Sequence, residues 1–178
     1  INSVSYKEVF PYIMNNKMWI GLSISSGDRK FFVPDDYPLN ASGCGVDSDG
    51  KRYIRVKGVR WFTNLDISKR NEEMDLVCRY SPEEYPSYVN YQAIDVSKTA
   101  DIPSDYTGLM GVPITFLDKY CPNQFEIIGH SLELADMNII KKELGKLNGG
   151  PRFYVREHGQ LCRKFERIII RNKHPQTL

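Results

Sequence analysis

The sequence predicts a mixed fold, α/β or α+β, in one domain or slightly more. Three observations carry that reading. Apolar residues near the start recur at helical spacing, and β-branched or aromatic runs of strand length recur along the rest. No internal repeat and no clear linker divides the 178 residues. Hydrophobic residues at 41% and charged residues at 26% are globular values, which exclude a disordered chain. The longest apolar stretches, such as Ile168-Ile169-Ile170, are far too short to span a bilayer. No basic-then-apolar leader opens the chain, so the expectation is a cytoplasmic protein.

The first element is expected between Ser5 and Asn16, where Tyr6, Val9, Phe10 and Ile13 fall on one helical face. Ser5 with Glu8 makes a capping-box pattern, and Pro11 should bend or end this helix unless it lies near its start. Met18–Leu22 and Lys30–Val33 read as short strands. Asp35–Gly50, rich in Asp, Ser, Pro and Gly, reads as a surface loop. Its Gly43-Cys44-Gly45 is not followed by a helix pattern, so it is rejected as a phosphate cradle. Arg52–Thr63 reads as one long strand, or two broken near Gly58. Ala93–Val96 suits a short strand, Pro113–Tyr120 a helix with proline in its first turn, and Phe125–Ile128 a buried strand. Leu132–Leu147 is either a helix or a polar connection, and Gly149-Gly150-Pro151 is a break. Arg152–Arg156 and Lys164–Arg171 then read as a terminal hairpin turning near His158-Gly159.

Cys44, Cys78, Cys121 and Cys162 are dispersed and form no C-x-x-C, and His130, His158 and His174 are equally scattered. Reduced thiols and no metal site are expected. Net charge is only +2, but it is uneven. Arg152–Lys173 carries seven basic and two acidic residues, net +5, which leaves the remainder at −3. Such a strip either tracks phosphates or is a solvated strand face.

Several phrases, in one order, resemble EcoRI-type adenine-specific DNA methyltransferases. They are NSVSYKEVFPYIMNNKMWIG (residues 2–21), VRWFTNLD (59–66), YQAIDVSKTADIPSDYTGLMGVPITFLDKYCPNQFEIIG (91–129) and the closing hairpin. The likeness covers most of the chain and is weakest at 35–50 and 131–150. It implies transfer of a methyl group from S-adenosylmethionine to N6 of adenine in duplex DNA, within restriction-modification. The target base must be flipped out of the stack into a pocket. An N/D-P-P-aromatic tetrapeptide holds it there, and a glycine-rich turn after a strand receives the cofactor. The ten prolines include no Pro-Pro pair, and no such glycine turn precedes a helix. The resemblance places both elements upstream of Ile1, and a chain that opens Ile1-Asn2-Ser3 without methionine reads as cut from a longer protein. This chain alone is therefore expected to be inactive, and no catalytic residue is assigned.

On that resemblance the fold is the later half of a Rossmann-like methyltransferase sheet with additional β-rich target-recognition structure. Residues 1–130 would be the C-terminal part of the methyltransferase domain with inserted loops, and 131–178 a basic hairpin region packed on it. The candidate DNA-binding residues are Arg60 and Asn64 within VRWFTNLD, Lys98 and Thr99 in a polar loop, and Arg152, Arg156, Arg163, Lys164, Arg167 and Arg171 in the hairpin. Strand residues alternate faces, so only part of the last set can meet one ligand. The competing readings are structural. Trp61 and Phe62 are then core, Asn64 and Asp66 turn the chain, and Tyr85, Tyr88 and Tyr91 pack beneath a proline-rich loop rather than stack on bases. The alternative function is a DNA-binding module without chemistry, and a third reading is an α/β domain with an unrelated partner. A sheet cut in half would also expose an edge and favour self-association.

Overall fold

A computed structural model describes residues 4, 6–22, 28–57, 59–147 and 149–176. The chain is mixed, with eleven mostly short strands and three short α-helices among these residues. Its centre is set by Arg167-Ile168-Ile169-Ile170-Arg171-Asn172, the last strand, β11. A run of consecutive β-branched residues suits a strand buried on both faces. Accordingly Ile168 and Ile170 enter one apolar cluster with Phe10, Phe116 and Phe125, while Ile169 enters a second with Tyr88, Phe153 and Val155. The alternation is the period-2 geometry of a strand.

Around β11 stands a four-stranded sheet in the order β6 (Ile94–Asp95), β7 (Leu109–Pro113), β11 and β8 (Phe125–His130). β11 is antiparallel to both β7 and β8, with an irregularity between Ile169 and Ile170 on the β8 side. β6 pairs parallel to β7. That is the one parallel pairing of strands among the described residues, so the mixture of strands and helices expected from sequence is present, while a Rossmann-like sheet is not shown.

The expected terminal hairpin divides in two. β9 (Tyr154–Glu157) and β10 (Gln160–Arg163) pair through His158-Gly159, where φ is +49° and +80°. Positive φ at both central residues matches the twist of a two-residue hairpin. Lys164–Arg171 is not its second strand. Three isoleucines cannot stay on an exposed ribbon without cost, so β11 leaves the hairpin for the centre of the main sheet.

Other expectations survive with shorter bounds. Helix α1 is Phe10–Met14 with Pro11 in its first turn, where the missing N–H costs nothing. The capping box involving Ser5 and the break at Gly58 lie outside the described residues. β1 (Trp19–Ile20) pairs antiparallel with β5 (Phe62–Thr63). β2 (Asp28–Phe32), β4 (Arg52–Lys57) and β3 (Gly45–Val46) form a separate antiparallel sheet in the order β2-β4-β3. The helix expected at Pro113–Tyr120 is a 3-10 turn over Ile114–Asp118. Leu132–Leu147 holds α2 (Ser131–Leu134) and α3 (Met137–Leu144), capped by His130 and Asp136 respectively. No described helix is long and apolar enough to cross a membrane.

Candidate nucleic-acid interface

The basic strip at the end of the chain is held in place largely by carboxylates, two of its own and three from elsewhere in the chain. Arg156 makes a two-pronged bond to Glu143 of α3, at 3.0 and 2.9 Å. Arg152 lies 3.6 Å from Glu166, and Arg171 lies 3.5 Å from Glu126. Lys164 donates to Glu157 at 2.8 Å and lies 3.4 Å from Asp95. Burial pulls the Lys164 ammonium down, but these two carboxylates outweigh it and hold the group above the usual lysine range. Arg163 is exposed and donates to the Gly150 carbonyl at 3.0 Å, a neutral partner, and has no carboxylate partner among the described residues.

Arg167 faces inward. It is 6% exposed, and its Nε donates to Asp95 Oδ1 at 3.0 Å. The same Asp95 oxygen accepts from Tyr88 Oη at 2.6 Å, and burial together with that carboxylate pushes the Tyr88 phenol well above its usual range. Arg167 thus has no face to offer a phosphate. A charged side chain entering the core needs a partner there, and Asp95 is that partner.

Asp95 also joins two parts of the predicted site. Lys164 approaches it from the hairpin base, while Lys98 and Thr99 follow it at the end of β6. Lys98 is exposed, and Thr99 Oγ1 lies 3.5 Å from Thr115 Oγ1 in the 3-10 turn. The other end of that turn holds Asp118, which takes both terminal nitrogens of Arg60 at 3.1 and 3.2 Å. Arg60 is therefore a buttress of the turn. Asn64 is exposed just past β5.

The aromatic residues divide differently from the sequence reading. Tyr88 and Tyr91 both stack on Phe153, with centroids 4.6 and 5.2 Å away, and Tyr85 is buried, so packing accounts for all three. Phe62 packs against the larger core cluster, but Trp61 is 53% exposed, against the expectation that it is core. Phe165 was not anticipated. It is 87% exposed, while its neighbours are tied down: Lys164 to Glu157, Glu166 to Arg152, Arg167 to Asp95. The turn between β10 and β11 thus presents one aromatic ring beside Arg163 on a fixed base. The available signal was a lone apolar residue inside Arg163-Lys164-Phe165-Glu166-Arg167, where every neighbour is charged.

The described residues do not fit an S-adenosylmethionine site. Gly43 and Gly149 have positive φ, +83° in each case, but the segments they open lead into strands β3 and β9 rather than into a helix N-terminus. Among the described residues no group of three His, Cys, Asp or Glu side chains is placed to hold a metal ion.

Comparison with known proteins gives one family. The model for the adenine-specific methyltransferase EcoRI family matches residues 1–173. The chain is 48% identical over 130 residues to the type II methyltransferase M.EcoRI of Escherichia coli, a match covering 72% of this chain and 40% of that protein. It is 38% identical over 177 residues to the type II methyltransferase M.MgeORF184P of Mycoplasma genitalium, covering 96% and 54%. With the type II methyltransferase M.MpnI of Mycoplasma pneumoniae it shares 36% over 130 residues, covering 71% and 40%. The chain spans about half the length of these relatives, or less. No solved structure is significantly similar.

Proposed function

The chain belongs to the adenine-specific methyltransferase EcoRI family, and on that premise we propose that it is the duplex-gripping, target-recognising part of a DNA adenine-N6 methyltransferase. The observation that carries the reading is the match across residues 1–173, which spans the central sheet and the hairpin together. S-adenosylmethionine supplies the methyl group in such a reaction. We assign its pocket and the base-holding tetrapeptide to the remainder of the protein, because the sequence has no Pro-Pro pair and none of the described positive-φ glycines opens a helix.

The contribution of this chain is mechanical. A flipped base requires the duplex to be held in register while one nucleotide leaves the stack. Arg163 and Lys98, exposed without carboxylate partners among the described residues, are the phosphate contacts. Phe165 stands beside Arg163 as an apolar probe directed at the groove or the stack. Asn64, exposed after β5, is the polar group available for a base edge. In the whole protein the β1–β5 ribbon docks on the cofactor-binding sheet, covering Trp61 and the 71%-exposed Leu65. In isolation those residues favour self-association.

Methyl transfer by the whole protein tests the reading. With S-adenosylmethionine and duplex DNA, nucleoside mass spectrometry should detect N6-methyladenine, whereas this chain alone should bind duplex without methylating it. N4-methylcytosine would overturn the adenine assignment, and duplex binding with no methylation by the whole protein would leave a non-catalytic DNA-binding module.

A further inference from the structure

A second basic surface lies on the separate sheet β2-β4-β3. In the β2–β4 register Lys30 stands opposite Arg55 and Phe32 opposite Tyr53. Opposed residues share a face, and so do residues two apart on one strand. Lys30, Phe32, Tyr53, Arg55 and Lys57 therefore lie on one face of this sheet, with Asp28 at the position opposite Lys57. Phe32 is 60% exposed there, and Lys30, Arg55 and Lys57 are all exposed. The Lys30 ammonium lies 4.1 Å from the Tyr53 ring centre and 5.2 Å from that of Phe32, and Lys51 approaches Phe32 at 5.6 Å.

The charges are not balanced as they are in the terminal hairpin. Lys30 has one carboxylate, Asp47 at 3.6 Å, while Arg55 and Lys57 have no ion-pair partner among the described residues. Like charges directly opposite one another, as Lys30 and Arg55 are, destabilise a strand pair. An external polyanion reverses the sign of that term. Arg55 and Lys57 are two residues apart along β4, about 7 Å, of the same order as the separation of successive phosphates on one DNA strand. Beside them Ser42, Gly43 and Cys44 wall a shallow open groove with Tyr53. Gly43, at φ +83°, faces the aliphatic stem of Arg55, and a Cβ there would sit 3.6 Å from Arg55 Cδ.

We infer that this sheet face is a second contact surface for duplex DNA, with Lys30, Arg55 and Lys57 neutralising phosphates and Phe32 lying against the backbone sugars. The inference rests on the DNA-binding reading above and names a surface that reading did not use. Composition conceals it. Residues 28–57 hold six basic and five acidic side chains, and four of those acids fall in the connections rather than on β2 or β4.

The test is anisotropy of a labelled duplex with the full chain, titrated at several salt concentrations. R55E/K57E is compared with wild type and with K141E/K142E on α3, which makes the same change in net charge. R55E/K57E should weaken binding at least about tenfold beyond the α3 control near 0.1 M salt, and lower the log–log salt slope by about two. Its thermal midpoint should stay close to wild type, since both residues are exposed and the repulsion from Lys30 that R55E relieves is offset by the like charge that K57E sets opposite Asp28. If wild type binds duplex and R55E/K57E behaves like the α3 control, the sheet assignment is wrong and the DNA-binding reading stands. If wild type shows no salt-dependent duplex binding, the DNA-binding reading fails and this inference fails with it. Loss of single-strand binding with duplex binding intact would also overturn it.

Discussion

Arg167 Nε and Asp95 Oδ1 meet at 3.0 Å inside the main sheet, with β7 running between the strands that carry them. Asp95 is 2% exposed, and it collects Arg167, Tyr88 and Lys164 on one carboxylate. Removing one partner of a buried ion pair leaves the other charge desolvated, at a cost of about 3–5 kcal/mol. Arg167→Met should therefore destabilise strongly in urea unfolding, as should Asp95→Leu. The double variant should recover much of the loss, because an apolar pair of similar volume replaces the ions. Additive losses in the double variant would show that the two residues are not coupled.

The same centre fixes a glycine. A Cβ built on Gly111 would clash with Tyr88 Oη, and the ring is held by its bond to Asp95 and by stacking on Phe153. Tyr88 cannot swing away without breaking both. Gly111→Ala should cost at least about 2 kcal/mol, at the overpacking end of core substitutions, and Tyr88→Phe in the same background should recover only part of it, since ring carbons at 2.7 and 2.8 Å remain. A thermal midpoint equal to wild type for Gly111→Ala would mean the ring is not fixed.

Much of the element order was legible because its signals are local. Phe125–Ile128 announced a buried strand, Lys164–Arg171 announced a strand, and His158-Gly159 announced a tight turn. Pairing was less legible. That Lys164–Arg171 abandons the hairpin for β7 and β8 depends on which strands offer an apolar slot, and no spacing along the chain encodes that. The candidate site suffered for the same reason. Counting charge singled out Arg152–Lys173, but Glu143, Glu126 and Asp95 lie far off in sequence and neutralise Arg156, Arg171 and Arg167 only once folded. Phe165 stayed hidden among charges, and Lys30, Arg55 and Lys57 were masked by the acids of their own connections.

His130 gives a pH dependence with a defined sign. Burial lowers its pKa below the ordinary 6.5, with Glu133 and Glu166 opposing and Arg152 adding to the shift. Its Nδ1 accepts the Leu132 N–H at 3.2 Å at the start of α2, and Phe10 packs edge-on at 4.5 Å. The unfolded state then takes up a proton before the folded state does, so this group's stabilisation is complete above pH 6.5 and is lost as pH falls through the lower folded value. Denaturation midpoints should drop across that window. His130→Asn, which keeps a capping acceptor without titrating, should flatten the drop. Parallel pH profiles for the two proteins would remove His130 as the cause.

Phe165 separates recognition from stability more sharply than any cation here. An apolar ring 87% exposed contributes almost nothing to the core, so Phe165→Ala should leave the thermal midpoint unchanged or slightly higher. Against duplex DNA the same change removes a contact with sugar or base, and stacking of that kind is worth about 1–3 kcal/mol, a loss of roughly fivefold to a hundredfold in affinity. Arg163→Glu should act otherwise, weakening binding while lowering the salt slope, because it removes a charge from the interface rather than an apolar surface. Phe165→Ala should leave that slope untouched. The two variants together therefore distinguish an aromatic wedge from a basic tip: equal slopes with unequal affinities for Phe165→Ala place the ring in contact with the duplex, and wild-type affinity for Phe165→Ala removes it from the interface.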